Sequence, residues 1–122
     1  MIRVKPGVSF AILRREIWSI FDVIEVVYEK RSLTAMITCG TDSHGPNDPH
    51  SHAYAVDIGT HEVPQAELKP MHQELADRLG PDYTVLYDDK NIHQAEYIDT
   101  PNSHFHIQVR KDIWHARAGI PE

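Results

Sequence analysis

The sequence predicts a single α+β domain built on a small, mainly antiparallel sheet with two helices. Three observations carry that prediction. Apolar residues recur at helical spacing in two stretches, short β-branched apolar runs alternate with them, and 122 residues are enough for one core. The order helix, strands, helix, strands is that of an α+β domain. No repeat, linker or low-complexity tract divides residues 1–122, so the chain reads as one domain.

The first helix is expected from a Ser9 cap to about Lys30. Leu13, Ile17, Ile20, Phe21, Ile24, Val27 and Tyr28 share one face, with Arg14, Arg15, Asp22, Glu25 and Glu29 mostly opposite. Residues 34–39, β-branched and apolar with Gly40 behind them, read as a buried strand. Gly, Pro, Asn and Asp dominate residues 40–52, which read as a loop, and 53–58 read as a second strand. A second helix fits about Gln65 to Leu79, with Leu68, Met71, Leu75 and Leu79 on one face and Gly80-Pro81 as the stop. Pro70 inside that span either kinks it or marks its true start. Residues 83–87 are a strand by residue type, 88–103 a long irregular loop, and 104–109 the last strand. The tail from Lys111 is a short helix or an extended arm.

Composition narrows the function. Hydrophobic residues make up 41% and charged residues 25%, a balance that excludes disordered and fibrous chains. Twelve basic residues against eighteen acidic ones give −6, which argues against nucleic acid or an anionic membrane as partner. Cys39 is the one cysteine, so no internal disulfide forms and no oxidising compartment is required. No window approaches the ~20 apolar residues of a membrane span, and Arg14, Arg15 and Glu16 interrupt the first apolar stretch. The expectation is a cytoplasmic product without a signal peptide.

Histidine stands out, with nine in the chain. His61, His72 and His115 fall in a predicted loop, helix and tail and read as solvated side chains. His93 sits in the long loop, and His44 and His52 flank the more informative group: His50, Asp57, His104 and His106. His104 and His106 differ by two, so on a strand they share a face, while Phe105 and Ile107 point to the other. His50 and Asp57 reach one point if His50 lies in the loop before the strand and the chain bends. Two imidazoles and a carboxylate from separated segments are the ligand set of an open zinc site, so His50, Asp57 and His106 are the candidate metal ligands. Taken singly, each is accounted for as a polar residue on a solvated face or in a turn. Asp57, however, lies within Ala-Val-Asp-Ile, where burying a carboxylate without a partner is costly, and a metal removes that cost.

With these residues the sequence resembles the zinc D-Ala-D-Ala carboxypeptidases and related phage cell-wall peptidases, which share their fold with the Hedgehog signalling domain. The family pattern is His, Gly three residues on, Ala five on and Asp seven on, followed later by His-x-His or Trp-x-His. Here it reads His50-Ser-His-Ala53-Tyr-Ala55-Val-Asp57, then His104-Phe-His106. The opening helix, the strand at 35–38, the turn Thr41-Asp-Ser-His44 and Leu79-Gly80-Pro81-Asp82-Tyr83 extend the similarity over about residues 9 to 110. There are departures: Asp48 stands where the family usually has Ser, Ala53 where it has Gly, and Thr-Pro-Asn-Ser at 100–103 where its acid/base carboxylate normally lies. In the short phage-type members that carboxylate ends the preceding strand, which matches Asp88, with Asp89, Glu96 and Asp99 as alternatives.

The resemblance implies a zinc peptidase that hydrolyses an amide in a peptidoglycan stem peptide, as a carboxypeptidase or an endolysin-like enzyme. Asp88 would move protons and His104 would donate to the developing oxyanion. A phage lysin released to the wall by lysis would fit a chain without a signal peptide. One alternative is a zinc-binding module without catalysis, acting in binding or phage assembly, which the residues at 100–103 favour. Another is a small cupin, suggested by the His-x-His pairs at 50/52 and 104/106 but opposed by two helices and only six glycines.

Overall fold

The computed structural model describes residues 1–10, 12–40, 48–88 and 96–120 in full, and 89, 92 and 93 in backbone. The elements run β1 (Ile2–Val4), α1 (Arg15–Glu29), β2 (Ala35–Cys39), β3 (Ala55–Gly59), α2 (Gln65–Leu79), β4 (Tyr83–Asp89), β5 (Ile92–His93), β6 (Ser103–Val109) and α3 (Lys111–Ala118). The sheet order is β1-β2-β3-β6-β4-β5. No helix among the described residues is long and apolar enough to cross a membrane.

The α+β class and the position of α2 agree with the sequence, but the sheet is mixed. β1 pairs with β2 in parallel, while the other pairings are antiparallel. The reason is connectivity: a helix between two strands lets the second return in the direction of the first. Ile2-Arg-Val4 is too short and too charged to signal a strand by pattern. The described residues hold three helices rather than two, because the tail folds as α3.

Helix α1 starts at Arg15, not at a Ser9 cap, with Arg14 in extended backbone before it. Residues 9 and 10 instead cross the end of β2 against Gly40, where a β-carbon would collide with the Ser9 carbonyl. The Phe10 ring meets Phe21 edge-on at 5.8 Å. Helix α2 continues through Pro70, which lies on its exposed side and does not mark its start. The expected loop at 88–103 begins as a hairpin, since Asp88 and Asp89 pair with residues 93 and 92.

Alternation on the strands gives the sheet two unlike faces. Ala35, Ile37, Val56, Ile58, Val85, Tyr87, Phe105 and Ile107 point toward α1 and α2 and form the core with Ile17, Ile20, Ile24, Leu68, Met71 and Leu75. The other face carries mostly polar residues and lies on the side of the sheet opposite α1 and α2. A smaller cluster of Tyr54, Val109 and Trp114 docks α3 at one end.

Two histidines expected in solvent have structural roles. His72 donates from Nε2 to the Val85 carbonyl and accepts at Nδ1 from the Tyr97 hydroxyl, both at 2.7 Å. His115 is buried in α3 beside Trp114.

Candidate metal centre

Strand register brings the candidate residues together. Asp57 lies opposite His106 across β3–β6 and opposite Cys39 across β2–β3. The next row places Met36 opposite Gly59, Gly59 opposite His104, and His104 opposite Asp88. Directly paired residues share a face, so all these side chains belong to the open side of the sheet. On β6 the alternation is complete: Ser103, Phe105, Ile107 and Val109 are buried, while His104, His106 and Gln108 are half-buried on the open face.

His50 completes the group from outside the sheet. Residues 48–54 form a tight reversal in which the Ala53 amide donates to the His50 carbonyl and the Tyr54 amide to the Pro49 carbonyl. The Asp48 carboxylate accepts from the His50 amide at 2.8 Å and so braces the turn that carries His50. Ala53 takes φ of 60°, the left-handed region, which explains why a glycine suits this position. Arg14, just before α1, clamps the turn, donating to the His52 carbonyl at 2.8 Å with its guanidinium over the Tyr54 ring.

Ala53 is also fully buried. Ala53→Val therefore meets backbone strain beyond the ~1–2 kcal/mol of a left-handed residue, together with overpacking of about 1–3 kcal/mol. We expect a loss of about 2–4 kcal/mol in thermal unfolding, whereas Ala53→Gly should stay within about 1 kcal/mol of wild type. Equal melting temperatures for the valine and glycine variants would refute this account of the turn.

The donor atoms converge closely. His50 Nε2 lies 3.2 Å from Asp57 Oδ1, His106 Nδ1 lies 2.9 Å from the same oxygen, and the two ring nitrogens are 3.3 Å apart. A tetrahedral ion with bonds of about 2.0–2.2 Å separates its ligands by about 3.3–3.6 Å, so this triangle closes around such an ion with small shifts. Cys39, His50 and Asp57 also lie close enough to hold a metal ion, with donor atoms within 4.8 Å of one another. The residues thus fit a divalent ion by donor type and spacing.

Outer partners set the ring orientations. Gln108 donates its amide to the Val109 carbonyl, so its Oε1 faces His106 and accepts from Nε2–H at 2.7 Å. That hydrogen bond turns His106 Nδ1 toward Asp57. Gln108→Ala is expected to weaken metal affinity by about 10–100-fold without removing a ligand. Unchanged affinity in a chelator competition would show that Gln108 does not orient His106.

Burial alone would raise the Asp57 carboxyl, but hydrogen bonds from His106 and His50 outweigh it and hold the group well below the usual carboxylate range. Burial alone would lower His106, but Asp57 outweighs it and the imidazole is held above its ordinary value. In metal-free protein the depressed acid adds stability above about pH 4 that is lost as pH falls through its folded value. The raised imidazole adds stability that is full below about pH 6.5 and lost as pH rises through its folded value. Metal-free thermal stability should therefore be greatest between about pH 4 and 6.5, with the alkaline decline flattened in Asp57→Asn. An alkaline decline equally steep in that variant would contradict the pairing.

The catalytic candidates share the open face. His104 donates from Nδ1 to the Asn102 carbonyl at 3.0 Å, which points Nε2 inward, 3.8 Å from Asp57 Oδ2. Asp88 is buried and sits directly across from His104. Of the alternatives, Glu96 is exposed. Asp99 is tied to the Thr60 and Tyr87 hydroxyls at 2.9 and 3.3 Å, and the Tyr87 ring packs on the opposite face of β4 from Asp88. The side chains of Asp89 and His93, and the turn with His44, lie outside the described residues.

Sequence reasoning missed Cys39 and Gln108. Gln108 continues the i, i+2 series of His104 and His106, a signal available in the pattern. The place of Cys39 depends on the β2–β3 register, which is shifted by an irregularity between Ile37 and Cys39.

Comparison with protein-family models, curated proteins and solved structures gives no match for this chain.

Proposed function

We propose that this protein is a zinc-dependent peptidase that hydrolyses an amide bond in peptidoglycan stem peptides. The observation that carries the reading is the convergence of His50 Nε2, Asp57 Oδ1 and His106 Nδ1 within 3.3 Å on an open sheet face, beside buried Asp88. The resemblance of these residues to the wall peptidases suggests the substrate class.

His50, Asp57 and His106 would hold the ion. Zinc held by three protein ligands supplies a Lewis acid and a water of pKa near ~7. Asp88, as carboxylate, takes the proton of the attacking water and delivers it to the leaving amine. His104, held by Asn102, presents its ring to the oxygen on which negative charge develops. Gln108 keeps His106 in the tautomer that leaves Nδ1 facing Asp57.

The test is incubation of zinc-loaded protein with purified peptidoglycan, followed by mass spectrometry of the released fragments. Stem-peptide cleavage that stops on chelation is the expected result. The second reading, a zinc-binding module, rests on residues 100–103: they form a turn closed by Thr100 and Ser103 and bring no carboxylate to the start of β6. Zinc uptake without any cleavage would favour it.

A further inference from the structure

The sheet ends at β1, and that strand borders an apolar groove. The groove, about 670 Å³, is lined by Ile2 and, from α1, by Trp18, Phe21, Asp22, Glu25 and Val26. These α1 residues fall outside the stripe of Ile17, Ile20, Ile24 and Val27 that faces the core, so the helix carries a second apolar flank. Trp18 is 52% exposed and Val26 46%. The Trp18 ring is nonetheless packed in place, meeting Phe21 edge-on at 5.9 Å, and Phe21 in turn meets Phe10.

The backbone at this edge is open as well. The Ala35 amide donates to the Met1 carbonyl and the Lys5 amide to the Ile37 carbonyl, both at 2.9 Å. Successive strand residues turn their backbone groups to opposite edges, so Met1, Arg3 and Lys5 bond toward β2 while Ile2 and Val4 face outward. Side chains alternate between the faces in the same rhythm. Ile2 packs on the α1 side, and Arg3 lies beside Met36 on the open face. A strand added here finds the amides and carbonyls of Ile2 and Val4, with the groove on one side and the cations Arg3 and Lys5 on the other.

Charge selects the occupant. The Met1 ammonium lies 3.5 Å from Glu25 and 3.4 Å from Glu29, so a cation at this edge meets both carboxylates. A second copy of this chain is the wrong partner. Antiparallel pairing of β1 with itself about a two-fold axis sets arginine near arginine and brings two sets of Asp22, Glu25 and Glu29 together. We infer that β1 accepts an extended segment of another protein as an added strand, apolar and then basic on the α1 side and acidic on the open side. Its apolar residues fill the groove beside Trp18, its basic residue reaches Asp22 and Glu25, and its acidic residue faces Arg3 and Lys5. The edge lies two strands away from Asp57, and the inference does not depend on the peptidase reading.

The experiment titrates the full chain with the peptide acetyl-Leu-Glu-Leu-Thr-Lys-Thr-amide and with two forms N-methylated at its odd or its even positions. Binding is read by calorimetry and by tryptophan emission, which reports Trp18 because Trp114 is buried. The unmodified peptide is expected to bind with a blue shift. One methylated form should lose about fivefold or more in affinity, the scale of a backbone hydrogen bond, while the other, methylated on the solvent side, binds as before. Exchanging the peptide's glutamate and lysine should weaken it about threefold or more. Trp18→Ala should weaken it about tenfold or more, and the exposure of Trp18 keeps that change from threatening the fold. Equal affinity for the two methylated forms, no blue shift, or indifference to the charge exchange or to Trp18→Ala overturns the assignment. So does a chain that sediments as a dimer with Trp18 already shielded, which would give the edge to a second copy.

Discussion

Asp57→Ala is expected to abolish stoichiometric zinc binding while leaving the metal-free fold intact. The carboxylate contacts both His50 and His106, and its removal takes away a ligand and the group that holds the two rings together. Loss of an outer-shell partner alone costs about 10–100-fold in affinity, so loss of this ligand should exceed that range. The fold survives because Asp57 faces away from the core formed by its neighbours Val56 and Ile58. We expect a stability change of about 1–3 kcal/mol, the scale for removing a partner from buried polar groups. Far-ultraviolet circular dichroism together with elemental analysis checks both parts. One equivalent of zinc retained by Asp57→Ala would show that the ligand set is wrong.

The second large effect is on turnover. Asp88→Asn keeps shape and burial but removes the group assigned to proton transfer, so peptide hydrolysis should fall by about 10²–10⁴-fold. Zinc content should not change, because Asp88 lies one row away from Asp57 and His106. The pairing of those two results separates a base from a ligand. Full turnover by Asp88→Asn would transfer the role to another carboxylate.

Much of this was legible in the chain. The three-and-four spacing from Ile17 to Tyr28 and the run from Gln65 to Leu79 mark two helices, because a helix on a sheet must bury a continuous stripe. The two-residue step between His104 and His106 places both on one face of a strand. What the sequence hides is set by contacts distant along the chain. β1 is a strand only because α1 returns β2 beside it. The end of α1 nearest Ser9 is unwound because residues 9 and 10 find better packing against Gly40 and Phe21. The site divides in the same way. Spacing exposes His50, Asp57 and His106, but only the reversal at Ala53 brings His50 over the sheet. Only the β2–β3 register brings Cys39 opposite Asp57. Nothing in the sequence signals a left-handed turn at Ala53, yet the backbone adopts one there.

Whether two imidazoles and one carboxylate hold a divalent ion can be read by zinc X-ray absorption on the loaded protein. One zinc per chain is expected, in a shell of nitrogen and oxygen at about 2.0–2.2 Å with two imidazole rings. A sulfur scatterer at about 2.3 Å would assign the ion to Cys39 with His50 and Asp57, and protein that retains no zinc would rule out a metal centre at these residues.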